Sequence, residues 1–121
     1  MSSKLALETW PGDKTLVKKT LIFWRDIPSQ VIVQRGRIRE KAMLSQRFQE
    51  AIDRAAMRAG KGSSDAYLSE WVRKASTVDT DADLGALVAE EAGRLEAGIS
   101  DELLLQLIRN KGFANGSAGE T

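Results

Sequence analysis

The chain has 121 residues, of which 42% are hydrophobic and 29% are charged, as in an ordinary globular domain. That length fits one domain with a single hydrophobic core. The sequence contains no cysteine and no histidine, so disulfides, thiolate metal sites and histidine-based proton transfer are excluded. We therefore expect a protein that is not an enzyme and that carries no cofactor.

The first 13 residues are polar, end in the turn sequence Trp10-Pro11-Gly12-Asp13, and are predicted to form a loosely held arm. They lack the apolar core of a signal peptide. The longest purely apolar run, from Leu21 to Trp24, is far shorter than the ~20 residues that a membrane span requires. We therefore expect a cytoplasmic protein without a membrane partner.

Two runs rich in β-branched and aromatic residues predict an antiparallel hairpin. The first covers residues 15–24 and the second covers residues 30–34, with a break at residues 26–29. Arg35-Gly36 is a candidate second turn, which would place a third strand at residues 37–43. That last stretch fits the start of a helix equally well, so both interpretations stay open.

Helical periodicity begins at Leu44, where Leu44, Phe48 and Ile52 fall on one face and Gly60 ends the segment. The last helix has the clearest signature, because Ser100 is a favourable N-cap ahead of two acidic residues. The four predicted helices cover residues 45–59, 65–75, 83–97 and 101–110.

The second of these helices is predicted to bury Leu68, Trp71 and Val72, with a polar loop to follow at residues 76–81. The sequence as a whole predicts an α+β fold. A small antiparallel sheet of two or three strands in the N-terminal half would pack with about four helices. We expect residues 1–112 to form one domain and residues 113–121 to be a disordered tail.

The charge is unevenly distributed along the chain. Residues 1–62 contain 13 Lys/Arg and 6 Asp/Glu, whereas residues 63–121 contain 5 and 11. Such asymmetry is typical of a basic surface for an anionic partner. Alternatively, the two halves neutralise each other within the fold, and acidic residues of the C-terminal helices then lie near Arg47, Arg54 and Arg58.

The candidate partner-binding residues lie at and after the predicted hairpin tip. At the tip they would be exposed contacts or, alternatively, a local ion pair within the turn. After the second turn, four alternating cations would project from one face of the sheet if the chain is extended there, and they could bind anions. Cations on an edge strand also simply prevent aggregation. The candidates are Arg25, Asp26, Arg35, Arg37, Arg39 and Lys41.

Asp79, Asp81 and Asp83 alternate like the start of a calcium-binding loop. The glycine that such a loop requires at its sixth position is replaced by Leu84, so we expect no metal site. The sequence also lacks a phosphate-binding loop, a dinucleotide fingerprint and a nucleophile elbow.

Three strings of the sequence, Trp24–Val33, Leu44–Gly60 and Ala66–Trp71, are specific in combination. Together they resemble the small bacterial domain known as the conserved virulence factor domain, in its stand-alone form. The resemblance covers roughly residues 15–95. None of the three strings is a catalytic motif, so the resemblance implies no catalytic residues.

The resemblance implies an accessory or adaptor protein. The stand-alone form tends to be encoded near corrinoid- and folate-dependent one-carbon genes, which implies a protein partner among the enzymes of one-carbon (methyl-transfer) metabolism. The alternative is a nucleic-acid-binding module that uses the basic N-terminal half. The aromatic stacking platform of single-strand binders is not visible in the sequence, so we expect the protein partner rather than nucleic acid. Nothing in the sequence indicates an oligomeric state.

Overall fold

The computed structural model describes residues 16–114, which form one four-stranded antiparallel sheet and four helices. This is the predicted α+β class, with one strand more than expected. In chain order the elements are β1 (Leu16–Trp24), β2 (Ile27–Arg35), β3 (Ile38–Met43), α1 (Gln46–Arg58), α2 (Ser64–Leu68), β4 (Trp71–Asp79), α3 (Leu84–Gly98) and α4 (Asp101–Arg109).

The strands lie side by side in the order β3-β2-β1-β4. The first three strands form a meander of neighbours in sequence, and β4 then returns to pair with β1. That pairing is unbroken from Leu16 opposite Asp79 to Trp24 opposite Trp71. The described sheet therefore has β3 and β4 as its edges. No helix within residues 16–114 is long and apolar enough to cross a membrane.

The prediction of a helix over residues 65–75 is wrong beyond Leu68. Helix α2 ends there, and the chain forms strand β4 from Trp71 to Asp79, which also replaces the predicted polar loop. Leu68 and Val72, which were predicted to be buried, are exposed. The segment is short and ambiguous in its periodicity, and the hydrogen bonds that β1 offers along its free side decide its conformation.

The hairpin turn is shorter than the predicted break. It consists of Arg25 and Asp26, with Arg25 in the left-handed region at φ 55°. Strand β2 therefore begins at Ile27 and contains Pro28, which has no amide hydrogen to donate to the sheet. Proline is tolerated there because a β-bulge follows directly, where the pairing with β1 shifts by one residue.

The remaining predictions of secondary structure agree with the structure. Residues 37–43, which were left open between strand and helix, contain strand β3. Helices α1, α3 and α4 have their predicted positions. Ser100 caps α4 by accepting a hydrogen bond from the Leu103 amide, and Asp83 caps α3 by accepting one from the Ala86 amide.

One buried cluster lies between the sheet and helix α3. Val17 of β1 and Val31 and Val33 of β2 pack against Leu84 and Val88 of α3. These strand residues alternate along the chain, so they share one face of the sheet, which we call the covered face.

A second cluster joins the turn end of the hairpin to helices α1, α2 and α4. Trp24 is fully buried at its centre, near Phe48 of α1 and Leu107 of α4. The Trp24 indole nitrogen donates a hydrogen bond of 2.9 Å to the Tyr67 carbonyl. The indole ring also stacks on the Tyr67 ring, and the two contacts hold α2 against the hairpin. The two clusters together fix the helices at one side and one end of the sheet.

Candidate partner-binding surface

Arg25, which was predicted to be an exposed contact or half of a local pair, connects distant parts of the fold instead. Its guanidinium donates to the Glu70 carboxylate at 3.0 Å and to the Lys111 carbonyl at 2.9 Å. It also lies over the rings of Trp24 and Phe113. Only 10% of its side chain is exposed, so Arg25 stabilises the hairpin tip and offers little surface to a partner.

Asp26 has a similar structural role. Its amide donates to the Gly112 carbonyl at 2.8 Å, and its carboxylate accepts from the Ala114 amide at 2.7 Å. Gly112 has φ +98°, and a Cβ there would meet the Trp24 ring at 3.0 Å. The first two residues of the predicted tail, Phe113 and Ala114, thus contact the hairpin, while the rest of that tail and the predicted N-terminal arm lie outside the described residues.

Arg35 anchors the loop that joins β4 to α3. One of its terminal nitrogens donates to the Thr80 carbonyl at 2.8 Å and to the Ala82 carbonyl at 2.7 Å. Its Nε is buried without a hydrogen-bond partner in the structure. The Arg35 guanidinium therefore stabilises this loop and is not an exposed contact for a partner.

The prediction that four alternating cations share one face is wrong for Arg35. The chain reverses at Gly36 and Arg37, and Arg35 pairs directly with Ile38. Arg35 consequently points to the covered face, whereas Arg39, one position beyond Ile38, points to the opposite face. Arg37 is exposed in the turn itself. Side chains alternate between faces only within one strand, and the turn at Gly36 and Arg37 separates Arg35 from Arg39 and Lys41.

The face opposite α3 gathers cations from three strands. Lys18 of β1 lies opposite Gln34 of β2, which in turn lies opposite Arg39 of β3. The same registers place further side chains on this face two residues along each strand. We call it the basic face, after its four exposed cations Lys18, Arg39, Lys41 and Arg73.

Two of these cations escaped the sequence analysis. Arg73 was predicted to lie in a helix. Lys18 and Lys19 are adjacent, so the presence of two lysines alone does not determine which one shares a face with Arg39. The alternation of β1, together with the position of Val17 in the core, is the signal that separates them. Arg39 and Lys41 were identified correctly as neighbours on a sheet face.

The cations of the basic face form no close ion pair within the described residues, although Asp79, opposite Leu16 at the end of β4, lies on the same face. None of the salt bridges between residues 16 and 114 includes any of the four. A cavity of about 140 Å³ lies among three of the four cations. It is lined by Lys18, Thr20, Ile32, Gln34, Arg39 and Arg73, all of them strand residues.

Elsewhere, part of the charge asymmetry is neutralised inside the fold. Arg47 of α1 contacts the carboxylates of Glu96 at 3.4 Å and Asp101 at 2.9 Å. The expectation that acidic residues of the C-terminal helices lie near the α1 arginines is confirmed for Arg47. Arg54 and Arg58 form no salt bridge within the described part of the chain.

Two titratable groups near the hairpin tip have shifted pKa values. Burial by itself would raise the pKa of Glu70, but the hydrogen bond and charge of Arg25, with the charge of Lys61, outweigh it and hold the pKa below the ordinary 4.5. Burial raises the pKa of Tyr67 above 10.0, and the nearby charge of Asp53 adds to this. Both groups therefore keep their ordinary ionisation state at neutral pH.

The family model described as "Virulence factor" matches residues 22–108 of the chain. The chain belongs to this family. The matched span begins in β1 and ends in α4, so it extends past the predicted limit near residue 95 to include the helix that packs on α1. Three cations of the basic face lie inside the Virulence factor match, and Lys18 precedes it. No curated protein and no solved structure matches the chain.

Proposed function

We propose that this protein is a non-catalytic accessory protein that binds an acidic surface of a partner protein through the basic face. The observation that carries the proposal is the group of four exposed cations on one side of the sheet, none of which forms a salt bridge within residues 16–114. Such a surface raises the local positive potential and accelerates encounter with a negatively charged partner.

The covered face makes the basic face a rigid platform. Strands β1 and β2 are held from behind by α3, so their outward side chains start from fixed backbone positions. Exposed Met43 adds apolar area beside Lys41 on the same strand. Apolar area among arginines is typical of protein interfaces. A preformed surface of this kind loses less conformational entropy on binding than a mobile loop does.

The family context supports a particular class of partner. The stand-alone form of the domain that the sequence resembles tends to be encoded near corrinoid- and folate-dependent one-carbon genes, and we therefore propose a one-carbon enzyme as the partner. The absence of histidine and cysteine from the sequence supports a binding role over a catalytic one.

Nucleic acid is the second candidate for the basic face, because phosphates would also satisfy its cations. The aromatic residues speak against single-stranded ligands. Trp24 is fully buried, and Trp71 packs edge-on against Tyr67, so neither offers a free ring to a base.

The proposal is tested by co-purification of the tagged, full-length protein at native expression, with identification of the recovered proteins by mass spectrometry. The test variant is R39E/K41E, and the matched control is R54E/R58E, which reverses two exposed cations on α1. We expect one enzyme to be recovered with the wild type and the control and lost with the test variant.

Recovery of the same enzyme with R39E/K41E would reject the basic face as the interface, and recovery of no protein would reject the accessory role. Titration with duplex DNA and with RNA at two salt concentrations tests the second candidate. Tight, salt-dependent binding of either, in the absence of any protein partner, would favour it.

A further inference from the structure

The cavity on the basic face brings three cations to one small volume. Lys18 and Arg39 flank Gln34 in a row across three neighbouring strands, and Arg73 enters from β4. Strands in a sheet are about 4.8 Å apart, so the Lys18 and Arg39 backbones are only about 10 Å from each other. Long cationic side chains easily converge over that distance.

None of the described residues that line this cavity carries a carboxylate. Three like charges around about 140 Å³ repel one another unless an anion lies among them. Three cations outside the cavity, by contrast, have close acceptors for their charged groups. Arg25 has Glu70, Lys19 has Glu91, and Arg35 has two carbonyl oxygens.

Most hydrogen-bond donors of the cavity have no side-chain partner within the described residues. Among residues 16–114, no side-chain hydrogen bond engages Lys18, Arg39, Arg73 or Thr20. Gln34 donates one N–H to the Gly36 carbonyl at 3.0 Å and retains the other. The cavity therefore offers two guanidinium groups, an ammonium, a hydroxyl and an amide N–H to a ligand.

This set of donors fits a phosphate monoester better than a carboxylate. A carboxylate has one charge and two oxygens, which a single arginine can satisfy. A phosphate monoester has a charge near −2 and three terminal oxygens, which match two arginines and a lysine. Thr20 and Ile32, each 7% exposed, form a firm floor beneath the cations.

We infer that this cavity is a binding site for the phosphate group of a small phosphorylated molecule. The inference is independent of the accessory role, since it concerns a pocket between strands and needs no partner protein. An occupied site would lower the positive charge of the basic face and would thereby weaken its attraction for an acidic partner.

The test is an NMR titration of the ¹⁵N-labelled full-length protein with inorganic phosphate and with glycerol 3-phosphate at constant ionic strength. Acetate serves as the carboxylate control. We expect saturable shifts of amides around Thr20 and Ile32 with both phosphate probes and none with acetate. R73Q and K18Q should each weaken binding about tenfold, the effect of losing one charge-assisted hydrogen bond, while R54Q should bind as the wild type does.

Equal shifts with acetate, shifts that never saturate, or unchanged affinity in both R73Q and K18Q would overturn the inference. The NMR spectrum of each variant without ligand shows whether that variant is folded. If R73Q is not folded, the affinity of K18Q alone decides the test. Stronger binding of glycerol 3-phosphate than of inorganic phosphate identifies a phosphorylated small molecule as the ligand, and the reverse order would limit the site to free phosphate. Because no partner protein is present, failure here leaves the accessory proposal untouched.

Discussion

Lys18 and Lys19 are adjacent in the sequence but lie on opposite faces of the sheet, in opposite electrostatic conditions. Lys19, on the covered face, contacts the Glu91 carboxylate at 3.4 Å, and that carboxylate also accepts from Arg94 at 2.6 Å. Lys18, on the basic face, lies beside a cavity with two more cations and no carboxylate.

The difference shows that charge serves two purposes in this small domain. On the covered face, Glu91 is buried, and its neutralisation by cations is a condition for packing α3 on the sheet. On the basic face the four cations are exposed and form no salt bridge within residues 16–114, so they add little to folding. The ion pairs of Glu91 on the covered face therefore stabilise the fold, whereas the cations on the basic face are available to bind a ligand.

The largest expected difference between the two faces concerns apolar side chains. L84A removes a buried side chain between α3 and the sheet, and we expect it to lower the free energy of unfolding by about 2–5 kcal/mol. M43A, on the basic face, removes an exposed side chain and should change it by less than about 0.5 kcal/mol. Urea denaturation at 25 °C measures both, and equal losses would contradict the division into faces.

The buried carboxylate gives the next largest effect. E91Q removes the charge that Lys19 and Arg94 share, so we expect a loss of about 1–3 kcal/mol in the free energy of unfolding. E90Q changes the neighbouring, exposed glutamate and is the matched control, with an expected change below about 0.5 kcal/mol. The same urea titrations apply, and a neutral E91Q would show that the ion pairs contribute nothing.

The ion pair between Arg25 and Glu70 at the hairpin tip should make the stability of the protein depend on pH. The folded state lowers the pKa of Glu70, so Glu70 stabilises the fold above its unfolded pKa of about 4.5, and this stabilisation is lost as the pH falls through the lower folded value. The difference in unfolding free energy between wild type and E70Q should therefore be constant near neutral pH and should shrink on acidification below 4.5. A difference independent of pH would show that the Arg25 contact does not depend on charge.

The smallest effect on stability is expected for charge reversal on the basic side of the β2–β3 turn. R37E/R39E changes two exposed cations, so the melting temperature should remain nearly constant. Binding to the partner should nevertheless weaken, and more so at low salt, where unscreened charge contributes most. Unchanged affinity would remove this face from the function, whereas a large drop in melting temperature would make it structural.

The helices with explicit end signals were predictable from the sequence. Ser100 and Asp83 cap their helices by local bonds to backbone amides three residues on, and such bonds leave a local pattern. Strand β4 was not predictable in this way. It forms because β1 offers unpaired backbone hydrogen-bonding groups along one edge. The local sequence Trp71–Asp79 carries no signal of that edge.

The candidate site divides along the same line. Arg39 and Lys41 were found because alternation within one strand is local. Arg25 and Arg35 were misjudged, since their partners are 45 or more residues away in the sequence. Which cations join Arg39 on a face depends on register between strands, and register is a property of the assembled sheet.

The pairing of β1 with β4 also has a consequence for synthesis of the protein on the ribosome. The paired residues are separated by 47 positions for Trp24 with Trp71 and by 63 for Leu16 with Asp79. At elongation rates of roughly 5–20 residues per second, β1 emerges a few to about ten seconds before β4 has been synthesised. During that interval its hydrogen-bonding edge is vacant, and nascent chains on neighbouring ribosomes could pair there. Lys18 and Lys19 on that strand oppose such encounters by mutual repulsion between chains.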